Sequence, residues 1–312
     1  MKIVVLDDYQ QVASAHADWD SLEEDVTFLD RHLEGEELVA ALEQAQVIVA
    51  MRERTPIGAD LLAQLPGLRL IVTTGRRNAS IDVAAARERG IPVCGTGGLA
   101  SSTVEHTWAL ILSAVRHIPA EDRAMRDGGW QTTVGTGLAG RTLGVMGLGR
   151  LGSQVATIGK AFGMDVAAWS QNLDAEHAAS LGVRPVSKDE LMAGSDIVTI
   201  HLVSSARTHH IVGAAEIAAM RPTAFLVNTS RGPIVDTTAM LEALHAGRIA
   251  GAAIDVYDTE PLPADDPLRS APRTVLTPHL GYVTNDGYDL FFREAVEDIA
   301  AWRAGVPMRV LD

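Results

Sequence analysis

Three short segments carry the residue types of an acid–base centre: NTSRGPIVD at 228–236, DVYDTEPLP at 255–263 and LTPHLGY at 276–282. Arg231 offers a planar, two-pronged guanidinium, which suits a carboxylate and an adjacent carbonyl oxygen together. His279 is of the type that titrates near neutrality. It can give a proton to an oxygen on which charge is building, and take it back in the reverse direction. Glu260 supplies a carboxylate, which favours imidazolium and fixes the ring. Each residue alone also fits a structural part: a surface ion-pair partner, the start of a loop before Pro261, a satisfied core histidine after Pro278. As a set, the acid–base reading is favoured.

A redox partner for such a centre is written in TLGVMGLGRLGSQVATIGKAFGMDVAAWS. Gly147, Gly149 and Gly152 form G-x-G-x-x-G directly after an apolar strand and at the start of an amphipathic helix. The first glycine makes the tight turn, the second lets a pyrophosphate approach the backbone, and the third lets helix and strand pack closely. The phosphates then meet the N–H groups of Arg150, Leu151 and Gly152 at the positive end of the helix. A protein-kinase loop is excluded, because no H-R-D or D-F-G follows. The second strand should end in an acid that binds the adenosine ribose. Here it runs Trp169-Ser170-Gln171-Asn172, with no acid until Asp174. Ser170 and Gln171 therefore take that position. Either NAD(H) or NADP(H) is admitted, with a slight lean to NADP(H), although no arginine stands beside Ser170 to hold a 2′-phosphate.

These residues need elements to position them, and the chain supplies an α/β alternation. Candidate strands KIVVL, VTFL, QVIVA, LRLIVT and IPVCG alternate with helices such as GEELVAALEQA and SIDVAAARERG. A second series runs TLGVMG, DVAAWS, DIVTIHL, AFLVNTS, AGAAIDVY and TVLTPH. Such alternation implies parallel sheets covered by helices on both faces. SSTVEHTWALILSAVRHI reads as one long helix ending before Pro119, and GYDLFFREAVEDIAAWRAG as another, stopped by Gly305. The expected organisation is a discontinuous substrate domain, 1–100 plus 286–312, around a dinucleotide-binding domain at 101–285. The fold class is two doubly wound parallel-sheet domains, flavodoxin-like and Rossmann.

Composition narrows the partners. A formal net charge of −14 over 312 residues argues against nucleic acid and anionic membranes as ligands. The single cysteine, Cys94, excludes an intrachain disulfide framework and reads as a buried structural thiol. His106, His117, His201, His209 and His210 lack metal-ligand spacing with a supporting acid, so no metal is expected. The N-terminus has no signal-peptide pattern and no apolar run approaches the roughly 18–20 residues needed to span a bilayer, which makes a cytoplasmic protein the expectation.

With these motifs in order, N-x-S-R-G-x-x-V-D, D-V-x-x-x-E-P and T-P-H after a Rossmann turn, the sequence resembles the D-isomer-specific 2-hydroxyacid dehydrogenases along essentially its whole length. The resemblance implies interconversion of a 2-keto acid and its D-2-hydroxy acid, with Arg231, Glu260 and His279 as the catalytic residues. It places Asp255 near the nicotinamide, and His201 and Thr229 beside the cofactor. It also implies a homodimer through the cofactor domain, with the helix near 101–118 involved. Relatives on the same scaffold abstract hydride from formate or phosphite, or act as nucleotide-sensing corepressors, and these remain the alternatives.

One stretch departs from the family pattern. Relatives carry G-V-G-x-D-N-I-D after the fourth strand, a turn whose N–H groups bind the substrate carboxylate. Here it runs Gly75-Arg76-Arg77-Asn78-Ala79-Ser80-Ile81-Asp82. A side chain at the second glycine position narrows the pocket. Arg52 and Arg54, in AMRERTP, end the preceding strand and belong on the same C-terminal sheet edge, where ligands of open α/β sheets bind. Arg52, Gly75, Arg76 and Arg77 are thus expected to bind substrate beside Arg231, favouring a 2-keto acid with a second anionic or strongly polar group. The competing expectation is that some of these arginines pair with Glu53, Asp82 or Glu88.

Overall fold

The computed structural model describes residues 1–311. The chain divides into two compact units: Met1–Leu99 together with the segment from Tyr282 onward, and Ala100–Gly281. The return to the first unit thus begins at Tyr282, ahead of the 286 read from the sequence.

The first unit is a parallel sheet of five strands, β1 (Lys2–Val5), β2 (Asp25–Phe28), β3 (Val47–Ala50), β4 (Leu70–Thr73) and β5 (Val93–Gly95), in the order β2-β1-β3-β4-β5. That is the flavodoxin-like order. β3 and β4 are buried along their whole length, as strands covered on both faces must be, which is why they read as unbroken apolar runs. Helices α1 (Gly35–Leu42), α2 (Ala59–Ala63) and α3 (Val83–Glu88) connect the strands. Cys94 is fully buried and burial pushes its thiol up to about 11, so it stays protonated. Its strand also receives the C-terminal tail, through Gly95 N–H to Arg309 O and Leu311 N–H to Val93 O.

The second unit opens with α4 (Ala100–Val115) and α5 (Ile118–Arg126). The helix read from the sequence as ending before Pro119 stops at Val115, and a second helix that the sequence reading did not include follows it. The break comes at His117, whose φ is +55°, and Pro119 lies in the first turn of the second helix, where its missing N–H costs nothing. Seven parallel strands follow: β6 (Thr142–Met146), β7 (Asp165–Trp169), β8 (Arg184–Pro185), β9 (Ile197–Ile200), β10 (Phe225–Asn228), β11 (Gly251–Ile254) and β12 (Thr274–Leu276). Their order is β12-β11-β10-β9-β6-β7-β8, the Rossmann arrangement with one added strand and a switch point between β6 and β9. Helices α6 (Arg150–Ala161), α7 (Ala175–Ser180), α8 (Lys188–Gly194), α9 (Ala214–Ala219) and α10 (Thr237–His245) cover the sheet. The last helix, α11 (Asn285–Arg303), belongs to the first unit. Among the described residues no helix is long and apolar enough to cross a membrane.

Candidate active site

The glycine turn lies at the switch point of the second sheet. Gly147, at φ +98°, follows β6 and donates its N–H to Trp169 O. A Cβ there would stand 2.6 Å from His201 O, and one on Gly152 would stand 1.9 Å from Gly147 O. Both positions are closed to any side chain. A Cβ on Gly149 would meet nothing within 4 Å, so the space above the turn is open where a pyrophosphate must lie. Gly149 is the N-cap of α6 and makes no side-chain cap bond, which leaves the N–H groups of Arg150, Leu151 and Gly152 to a ligand. These residues fit a dinucleotide.

Past β7, Ser170 is half-buried, and Gln171 is exposed and reaches Arg207 O at 3.4 Å. Asp174 is occupied otherwise: its carboxylate caps α7, accepting from the N–H groups of Glu176 and His177. His201, after β9, donates its N–H to Met146 O, and its Nε2 pairs with the Thr199 hydroxyl at 3.0 Å. Burial pushes its imidazole down to about 4, so the ring is neutral at ordinary pH. Thr229 is buried, with its hydroxyl bonded to that of Thr107.

The acid–base set occupies the C-terminal ends of β10, β11 and β12. Asn228, the last residue of β10, accepts Ser230 N–H on Oδ1 and donates Nδ2 to Arg231 O, both at 3.0 Å. This closes a tight turn that presents Arg231. The Arg231 guanidinium is half-buried and donates to Ser230 O. Gly232 packs on the backbone beyond β11, where a Cβ would come 2.1 Å from the carbonyl carbon of Tyr257. That contact abuts the turn ending in Glu260. The Glu260 carboxylate is held at both oxygens: Oε1 accepts from Tyr257 N–H at 2.9 Å, and Oε2 lies 2.6 Å from Nδ1 of His279. With Nδ1–H directed at a carboxylate, the ring's second nitrogen, Nε2, is the one whose chemistry allows proton exchange. Asp255 is nearly inaccessible at 1% exposure, and its side chain and carbonyl are engaged by the turn that carries His279.

The first unit's sheet edge carries the arginines. Arg52, at φ +52°, follows β3 and donates its N–H to Thr74 Oγ1 and Nη1 to Thr74 O. Its guanidinium lies 5.8 Å from the centroid of the Tyr282 ring and 3.5 Å from the Glu53 carboxylate, so part of its charge is already met by Glu53. Gly75 has φ +95°, and a Cβ there would fall 1.7 Å from Arg52 Nη1. Asn78 is buried and braces both loops through Arg52 O and Thr73 Oγ1. Asp82 is spent capping α3. Arg76 and Arg77 are exposed, and among the described residues neither side chain makes a hydrogen bond or ion pair.

Arg54 differs from the expected border of guanidinium groups. It turns inward and is 8% exposed. It donates to Asp7 O at 2.6 Å and lies over the rings of Tyr9 and Tyr282, at 4.4 and 5.6 Å. Asp7 in turn accepts from the hydroxyls of Thr55 and Tyr9. This cluster stands at the β1/β3 switch point. The only sequence trace of it is the run Asp7-Asp8-Tyr9 immediately after the first strand.

Comparison with known proteins agrees with this geometry. The family described as D-isomer specific 2-hydroxyacid dehydrogenase, NAD binding domain, matches residues 108–281. A glyoxylate reductase of Aeropyrum pernix is 40% identical over 259 residues, covering 80% of this chain and 77% of that protein. A D-3-phosphoglycerate dehydrogenase of Archaeoglobus fulgidus is 36% identical over 99% of this chain, which spans 58% of that longer protein. The crystal structure of a phosphoglycerate oxidoreductase from Vibrio cholerae superposes with a TM-score of 0.93 at 36% identity, over 98% of this chain and 100% of that one. A Rossmann sheet with its glycine turn, a matching flavodoxin-like sheet and these similarities lead to one assignment: the chain belongs to the D-isomer specific 2-hydroxyacid dehydrogenases.

Proposed function

We propose that the protein interconverts a 2-keto acid and its D-2-hydroxy acid with NAD(H) or NADP(H). The observation that carries this reading is the 2.6 Å bond from His279 Nδ1 to Glu260 Oε2. It lies on the same sheet edge as the Arg231 turn and the glycine turn. In the direction of reduction, Arg231 binds the substrate carboxylate and polarises the neighbouring carbonyl. The reduced nicotinamide, when bound, supplies the hydride to the carbonyl carbon. His279 gives the Nε2 proton to the carbonyl oxygen, and Glu260 holds the ring and stabilises its charged form. Gly147, Gly149, Arg150, Leu151 and Gly152 would hold the pyrophosphate, with His201, Thr229 and Asp255 on the nicotinamide side. Ser170 and Gln171 would face the adenosine ribose. The absence of a carboxylate there supports the lean to NADP(H), since nothing repels a 2′-phosphate.

For the substrate, Arg52, Gly75, Arg76 and Arg77 are proposed binding groups in addition to Arg231. Two exposed guanidiniums that make no hydrogen bond or ion pair among the described residues favour an acid with a second anionic group. The relatives are named for glyoxylate and for 3-phosphoglycerate, so a panel from glyoxylate and pyruvate to dicarboxylic and phosphorylated 2-keto acids brackets the range. NADH and NADPH oxidation over that panel, with His279→Ala as control, tests the proposal. Turnover in the native protein and its loss by roughly 100-fold or more in the variant is expected. Equal, negligible turnover on every acid would favour a nucleotide-sensing binding protein, and cofactor reduction by formate or phosphite alone would favour hydride abstraction. Arg76→Ala with Arg77→Ala should raise KM about tenfold for the doubly anionic acids and leave pyruvate unchanged, a loss of about 1.4 kcal/mol.

A further inference from the structure

Helix α4 carries three polar side chains, Thr103, His106 and Thr107, at spacings of three and four residues that place them on one face. Each reaches the loop end of a different strand. Thr103 Oγ1 donates to Gly281 O at 2.9 Å, beyond β12. Thr107 Oγ1 shares a 2.8 Å hydrogen bond with Thr229 Oγ1, in the turn that presents Arg231. His106 Nε2 lies 3.0 Å from both Asp255 Oδ1, just beyond β11, and Thr277 Oγ1.

Asp255 is the hub of this contact. Its Oδ1 accepts from the Thr277 hydroxyl at 2.6 Å and from Leu280 N–H at 2.7 Å. Its Oδ2 accepts from Gly281 N–H at 3.0 Å, and its carbonyl accepts from His279 N–H at 2.8 Å. Residues 277–281 are wrapped around this one residue, with His279 at φ +53°. Few side-chain-bearing residues adopt that backbone conformation unless their surroundings enforce it. The Thr277 hydroxyl hydrogen is already directed at Asp255, so the His106 ring must donate from Nε2. We propose that His106 is a positioning residue for the acid/base histidine. By donating to Asp255 it fixes the carboxylate around which the His279 turn closes, and so sets the angle at which His279 Nδ1 meets Glu260.

The inference rests on the role given to His279 above, and the test separates the two. His106→Leu removes the donor, whereas His106→Gln returns an N–H at comparable reach. Three readouts are taken: kcat and KM for the best 2-keto acid, the Kd of NADPH by fluorescence titration, and the downfield Nδ1–H proton resonance of His279, assigned by its disappearance in His279→Ala. In His106→Leu, kcat should fall about tenfold, equivalent to about 1.4 kcal/mol of barrier. KM and Kd should stay within about threefold, or about 0.65 kcal/mol, and the His279 resonance should shift or broaden. His106→Gln should recover most of both. A native His279 resonance and native kcat in His106→Leu would overturn the inference. So would equal losses in both variants accompanied by a matching fall in Tm, which would mark a merely structural contact. If His279→Ala keeps full turnover, the assigned reaction fails, and the resonance still decides whether His106 positions the ring.

Discussion

Glu260 and His279 are joined by a 2.6 Å bond between a carboxyl group and an imidazole. Glu260→Gln keeps the shape and removes the charge. A neutral hydrogen bond is roughly half as strong as a charge-assisted one, so kcat should drop on the order of ten- to hundredfold, with KM little changed. Steady-state kinetics at saturating cofactor measures this. His201 makes a different prediction. The unfolded chain takes up a proton near the ordinary 6.5, the folded one only near 4. Between those values the unfolded state binds more protons, so this residue's effect on stability becomes less favourable as pH falls through the window. Urea midpoints at pH 7.5 and pH 5 should differ less in His201→Gln than in the native protein.

At the scale of elements, two glycines act as spacers between segments that must touch. Gly152 lets α6 lie against the turn after β6, with Gly147 O only 1.9 Å from where a Cβ would be. Gly152→Ala should cost about 1–3 kcal/mol of stability, the range for overpacking, and weaken nicotinamide-cofactor binding at least tenfold in a fluorescence titration. Gly232→Ala would push the Arg231 turn off the backbone at Tyr257, where the Glu260 loop begins. It should lower kcat without an equal loss of cofactor affinity, because the dinucleotide turn lies on a different loop. Central strands such as β3 and β4 were legible in the sequence: buried on both faces, they appear as unbroken apolar runs; the exposed two-residue β8 was not read. The end of α4 ahead of Pro119 was legible too, but α5 was not, because its start depends on His117 taking a left-handed conformation, which no apolar period records.

For the whole molecule, we expect a homodimer joined through the second unit. That unit leaves Trp130 74% and Val134 93% exposed, with Ile118 and Met125 also exposed nearby, and such apolar surface favours burial against a partner. Sedimentation equilibrium should give twice the chain mass, and Trp130→Asp with Val134→Asp should return the monomer. From sequence alone came the two parallel sheets and the glycine turn, because strand burial and backbone conformation act on neighbours in the chain. The same reading named Glu260 and His279, 19 positions apart, without showing that they touch. Only the tertiary structure decided that Arg54 turns inward on Asp7, 47 positions away, while Arg76 and Arg77 stay exposed. It alone brought His106 to Asp255, 149 positions away. Hydrogen bonds between such distant side chains follow from the order of strands in a sheet and the face a helix lays against them, and they leave no local period to read.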